Sequence, residues 1–219
     1  MAMLFLMGDS ITWGAWDHEE GGWAARLGRW LNARLGPSRT GDLFLYNLGV
    51  AGDTSDALAA RFEAETQARF RDGHEYFVIV AIGANDATRI PSQDRFKVEP
   101  EAYGPHVAEV IRQAQAIAAG VTALNITAVN DQVAGAPPGE DRSRLNRSVQ
   151  KFNRELESVC GRMEVPVIDV FSRYQELGSS GLLADDGFHP NAEGHRVIFK
   201  AVRDHLIGSG FLARALGGG

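Results

Sequence analysis

The chain has 219 residues, 44% of them apolar and 23% charged, with a formal net charge of −6. That length fills one domain of ordinary globular composition and is short for two. The acidic balance, without a basic block, argues against nucleic acid as a partner, and no apolar run reaches the roughly 20 residues that span a bilayer.

The segment Met1–Met7 lacks a basic start and is too short for a secretory leader, so Met3–Met7 reads as a first buried strand. It stops at Gly8 and presents Ser10 in the turn of GDSITWG. A serine there is either held rigidly at a sheet edge or merely bonded to nearby backbone. Asp9 reads as a turn residue bonding to backbone. Trp13 and Trp16 either line an acyl pocket or pack in the core. Trp23, Leu27, Leu31 and Leu35 recur at helical spacing.

A second strand, Leu43–Asn47, leads into NLGVAGDTS. Gly52 there can bring a backbone N–H close to a ligand. Equally, Gly49 and Gly52 are turn glycines, with Asp53 or Thr54 capping the next helix. A third strand, Tyr76–Ile82, precedes IGANDATR, where the Asn85 side chain offers an amide donor. The polar loop Asn85–Glu99 follows, then a helix carrying Val107, Val110, Ile111, Ala114 and Ile117.

The fourth strand is expected over Val121–Val129, followed by the Gly-, Pro- and charge-rich loop Asn130–Arg144. Leu145, Val149, Phe152, Leu156, Cys160 and Met163 share one helical stripe, which makes the single cysteine a core residue and excludes an intrachain disulfide. A fifth strand, Val165–Val170, precedes DGFHPNAEGH and a last helix carrying Val197, Ile198, Ala201, Val202 and Leu206. Continuous apolar strands alternating with helices predict an α/β fold, a parallel sheet covered on both faces, with ligands at the carboxyl ends of its strands. We expect one domain over 1–207 and a fraying tail over 208–219.

Three residue types suited to acyl transfer thus fall where such a sheet brings them to one edge. A serine hydroxyl needs a base to take its proton, and His189 can serve if an acceptor orients its other nitrogen. Asp186 supplies that acceptor if the two share a tight turn; otherwise Asp185 or Asp186 caps the helix after Pro190. Oxyanion donors are available from Ser10 N–H, Gly52 N–H and the Asn85 amide.

The four blocks GDSITWG, NLGVAGDTS, GAND and DGFHPNAEGH run in order from Gly8 to His195. In this the chain closely resembles the SGNH, or GDSL, hydrolase family, with Ile11 where the short family name has leucine. The resemblance implies a flavodoxin-like three-layer α/β/α fold with a five-stranded parallel sheet in the order 2-1-3-4-5. It implies Ser10 as nucleophile, His189 as base and Asp186 as its partner, with an oxyanion hole from Ser10, Gly52 and Asn85. It implies no metal or organic cofactor.

His195 reads as a surface or packing histidine. His18, His74, His106 and His205 lack partners at ligand spacing, so no zinc site is expected. The leading reading is a cytoplasmic serine esterase acting on small esters with short acyl chains, since no lipase-like lid stands out. Alternatives on the same machinery are a carbohydrate deacetylase, a thioesterase or a lysophospholipase. A non-catalytic flavodoxin-like binding module is the reading from another class. The partners left are a small-molecule substrate and, in a homo-oligomer, a second copy of the chain.

Overall fold

Every residue of β1, Ala2–Gly8, is buried, because this strand lies in the sheet interior with helices on both faces. The computed structural model describes residues 1–35 and 43–215. β1 pairs in parallel with β2 (Leu43–Gly49) on one side and β3 (Glu75–Ala81) on the other. A separate two-stranded hairpin, β4 (Arg89–Ile90) and β5 (Arg95–Phe96), lies in the loop after β3. β6 (Gly120–Leu124) and β7 (Val167–Ile168) complete a five-stranded sheet in the order β2-β1-β3-β6-β7. Counted by its own strands, the order is the expected 2-1-3-4-5.

Helix α1 (Ser10–Trp13) follows β1 directly. Helices α2 (Gly22–Leu35) and α8 (Ala192–Gly208) pack together as one outer layer; α3 (Ser55–Gln67), α4 (Pro100–Ile117) and α6 (Asn146–Arg162) form the other. The stripes read from the sequence face inward: Trp23, Leu27, Leu31 and Leu35 of α2 are buried, as are Val149, Phe152, Leu156 and Cys160 of α6. Short helices α5 (Asp131–Ala134), α7 (Phe171–Leu177) and α9 (Phe211–Ala215) occupy connections and the carboxyl end. No helix among the described residues is long and apolar enough to cross a membrane.

Three expectations need correction, the first being that the fifth strand covers only Val167–Ile168 of Val165–Val170, since Val170 already takes helical backbone at the start of α7. The fourth strand ends at Leu124, not Val129, because asparagine side chains take the backbone groups that would continue the ladder. Asn153 accepts from Ile126 N–H and donates to Ile126 C=O, and Asn146 does the same at Val129. The tail beyond Gly208 is expected to fray, yet α9 buries Phe211 edge-on against Phe77, with ring centroids 4.6 Å apart. Residues 216–219 of that tail lie outside the described residues.

Candidate active site

Three adjacent strands, β2, β1 and β3, end abreast: Gly8 pairs with Gly49 on one side and with Ala81 on the other. The turns carrying Ser10, Gly52 and Asn85 therefore leave the sheet at one edge. Gly49 must be glycine, since an added Cβ would lie 2.2 Å from Trp13 N. That close approach lets α1 rest on the end of β2. Asp9 caps α1 by accepting from Ile11 N–H at 2.9 Å, the backbone-bonding role read from the sequence. Burial lifts its carboxyl to about 7, beside the charges of Asp86 and Asp53.

Ser10, one residue into α1, is nearly buried, and its Oγ lies 3.0 Å from His189 Nε2. His189 Nδ1 lies 2.6 Å from Asp186 Oδ2. The two share the tight turn required, because Asp186 Oδ1 also accepts from the backbone N–H of Phe188 and His189 at 2.9 and 3.0 Å. Burial works to raise the Asp186 pKa, but the bond from His189 and these two N–H groups outweigh it and hold the carboxyl at about 2. The capping alternative does not apply, because Asn191 caps α8 by accepting from Gly194 N–H.

Gly52 stands at the third position of a tight turn closed by Asp53 N–H to Val50 C=O, and its φ of 81° favours glycine. Lys97 Nζ donates to Gly52 C=O at 2.9 Å and pins that turn from the hairpin side. The Asn85 amide donates to Asp53 C=O at 3.0 Å, leaving its second hydrogen for another acceptor. Arg61 ties the assembly together, bonding Asp53 and the carbonyls of Gly8 and Leu48. Arg61 and Lys97 escape sequence reading because their contacts join elements distant along the chain.

His195 is a packing histidine and is fully buried. Its Nδ1 accepts from Trp23 N–H and its Nε2 faces Ala15 C=O at 2.8 Å, so it joins α8 to α2 and to the loop after Ser10. Burial lowers its pKa from 6.5, so the neutral ring is the folded form. A histidine with a depressed folded pKa loses stability as pH falls below its unfolded value. Urea unfolding is therefore expected to show stability declining below about pH 6.5, with a shallower decline in His195→Gln. An identical pH slope in the two proteins would remove His195 from this account.

Trp13 and Trp16 are not core residues; they are 60% and 51% exposed. The Trp16 ring lies 6.2 Å from that of His189. The two loops after β3 and β6 are knit together through the Arg89–Ser143 bridge and the Ser92–Asp141 contact. Among the described residues, no cluster of His, Cys, Asp and Glu is arranged to hold a metal.

This arrangement suits acyl transfer, and comparison with known proteins bears on the family. The chain is similar to the solved structure of LAE5, an alpha/beta hydrolase enzyme from the metagenome of Lake Arreo, Spain, at 27% identity and TM-score 0.69 over 99% of this chain and 95% of that one. A lipase/acylhydrolase from Enterococcus faecalis shares the fold at 20% identity and TM-score 0.74, over 95% and 97% of the two chains. So does Axe2, an acetylxylan esterase from Geobacillus stearothermophilus, at 21% identity and TM-score 0.69, over 99% and 94%. Comparison with curated proteins gives no match. Residues 6–197 match the model of the GDSL-like Lipase/Acylhydrolase family. With nearly the whole chain covered by that match, the protein belongs to the GDSL-like lipase/acylhydrolase family and is a carboxylic ester hydrolase.

Proposed function

We propose that this esterase cleaves short-acyl esters through a covalent intermediate on Ser10. His189 takes the Ser10 proton as Oγ attacks the ester carbonyl, then returns it to the departing alcohol. Asp186 holds the imidazole with Nδ1–H directed at its carboxylate and stabilises the imidazolium. Ser10 N–H, Gly52 N–H and the free hydrogen of Asn85 Nδ2 receive the oxyanion. Water, activated by the same histidine, then releases the acid. The observation that carries this reading is the continuous chain of short contacts from Ser10 through His189 to Asp186.

Among ester classes, acetylated saccharides have the most support, ahead of thioesters and lysophospholipids. Axe2, which shares the fold, is an acetylxylan esterase. In this chain Trp16 is half exposed beside His189, and its φ of 69° is unusual for so bulky a residue. Such strain costs about 1–3 kcal/mol and is retained where the side chain is needed in place. A flat exposed indole offers a stacking surface to the apolar face of a sugar ring.

Labelling with a fluorophosphonate, read by intact mass, tests the nucleophile: one adduct is expected on the wild type and none on Ser10→Ala. An unlabelled, folded wild type would overturn the proposal. A panel of acetylated saccharides and simple esters of increasing acyl length tests the substrate class, and highest kcat/KM on long chains would reject it. Asn85→Ala is expected to lower kcat by about 100- to 1000-fold with little change in KM. An effect confined to KM would make Asn85 a substrate-binding residue instead.

A further inference from the structure

Arg144 stands between the two turns that carry Asn85 and His189, at the end of the loop after β6. It is 8% exposed. Its Nε donates to Thr88 Oγ1 at 3.0 Å, three residues past Asn85. Its guanidinium carbon lies 3.8 Å from the centroid of the Phe188 ring, which in turn meets His189 edge-on at 4.6 Å. Among the described residues no carboxylate pairs with it: Asp186 acts on it through space but is bonded to His189, whereas neighbouring Arg142 is paired with Glu140. The terminal nitrogens of Arg144 have no protein partner among the described residues.

A buried guanidinium is costly unless its charge and its five N–H donors are met. One hydroxyl and one aromatic face meet only part of that need. The terminal nitrogens are not sealed from solvent, so the fork stays open to a ligand, and an oxygen-rich anion is the group its planar geometry matches best. We infer that Arg144 forms a subsite for an anionic oxygen group, a carboxylate or a phosphate, carried by the ester substrate. The inference rests on the proposed ester hydrolysis at Ser10 and adds the charge of the molecule hydrolysed. Burial lowers the Arg144 pKa to about 10, which still leaves the group cationic at neutral pH.

Matched substrate pairs test it on the intact protein. Monomethyl succinate against dimethyl succinate places the charge on the acyl side. Para-acetoxybenzoate and para-acetoxyphenyl phosphate, each against methyl para-acetoxybenzoate, place a carboxylate or a phosphate on the alcohol side. In at least one pair the wild type is expected to favour the anion about 10- to 100-fold in kcat/KM. The preference is expected to vanish in Arg144→Met and in Arg144→Gln, whose amide can keep the Thr88 contact if the methionine variant does not fold.

A wild-type ratio near unity in every pair overturns the inference, as does a preference that survives in a folded neutral variant. A purely structural role for Arg144 would depress both members of a pair alike and leave the ratio intact. Turnover of the neutral esters separates the two proposals. If they are cleaved without anionic preference, only the subsite fails; if no ester of either kind is cleaved, the Ser10 reading fails with it.

Discussion

Replacing Ser10 by alanine is expected to reduce ester hydrolysis to background, a fall of about a million-fold in kcat if chemistry limits turnover. The size follows from the proposed role: without Oγ there is no atom to carry the acyl group, and His189 has no proton to take. Stability should hardly change. Ser10 Oγ makes one side-chain bond, to a partly exposed histidine, and removing such a bond costs about 1 kcal/mol. The measurement is kcat on an acetate ester, alongside urea unfolding of both proteins. A folded variant that retained even a hundredth of the activity would remove Ser10 from the mechanism.

Asp186→Asn is the second large effect, with kcat expected to fall about ten-thousand-fold. The substitution keeps the shape of the turn and changes what it offers. An amide that presents its nitrogen to His189 Nδ1 stabilises the wrong tautomer, which directs an N–H rather than a lone pair at Ser10. The same residue predicts a change in stability. Its carboxyl moves from 3.8 unfolded to about 2 folded, so the folded state binds protons less readily. Stability from this group is complete above pH 4 or so, and is lost as pH falls towards the folded value. It amounts to about 2 kcal/mol at most, less whatever solvent screening removes. Unfolding curves of wild type and Asp186→Asn measured across that acid range should converge as pH falls, and parallel curves would contradict the account.

Where local chemistry dictated structure, the sequence was legible. Met3–Met7 reads as an interior strand, since five consecutive apolar residues have no polar face to give to water and the run stops at Gly8. The helical stripes of α2 and α6 were plain because apolar residues recur at helical spacing and leave a polar face to water. The contact between Asp186 and His189 was left open by their spacing, because a separation of three residues allows either a shared turn or a helix cap, and the backbone bonds to Asp186 decide it. The end of the fourth strand was not legible. Ile126–Val129 is apolar enough to be a strand, and only the arrival of Asn146 and Asn153 from α6 diverts its backbone. Trp13 and Trp16 were ambiguous because an exposed tryptophan is expensive unless something uses it. Arg144 carried no sequence signal at all, since a lone arginine in a charged loop resembles every other.

β1 lies inside the sheet although both strands that flank it, β2 and β3, follow it in the chain. A growing chain has nothing to pair it with until β2 and then β3 follow, and α8, which packs on α2 in the outer layer, follows later still. Ser10 and His189 are 179 positions apart, so contacts at the site are among the longest in sequence separation that the chain makes. Closing such loops is slow relative to forming helices. During refolding from denaturant, helical signal should therefore return before hydrolysis does. Recovered turnover in this enzyme is then a clock for the final long-range closure rather than for the growth of its secondary structure.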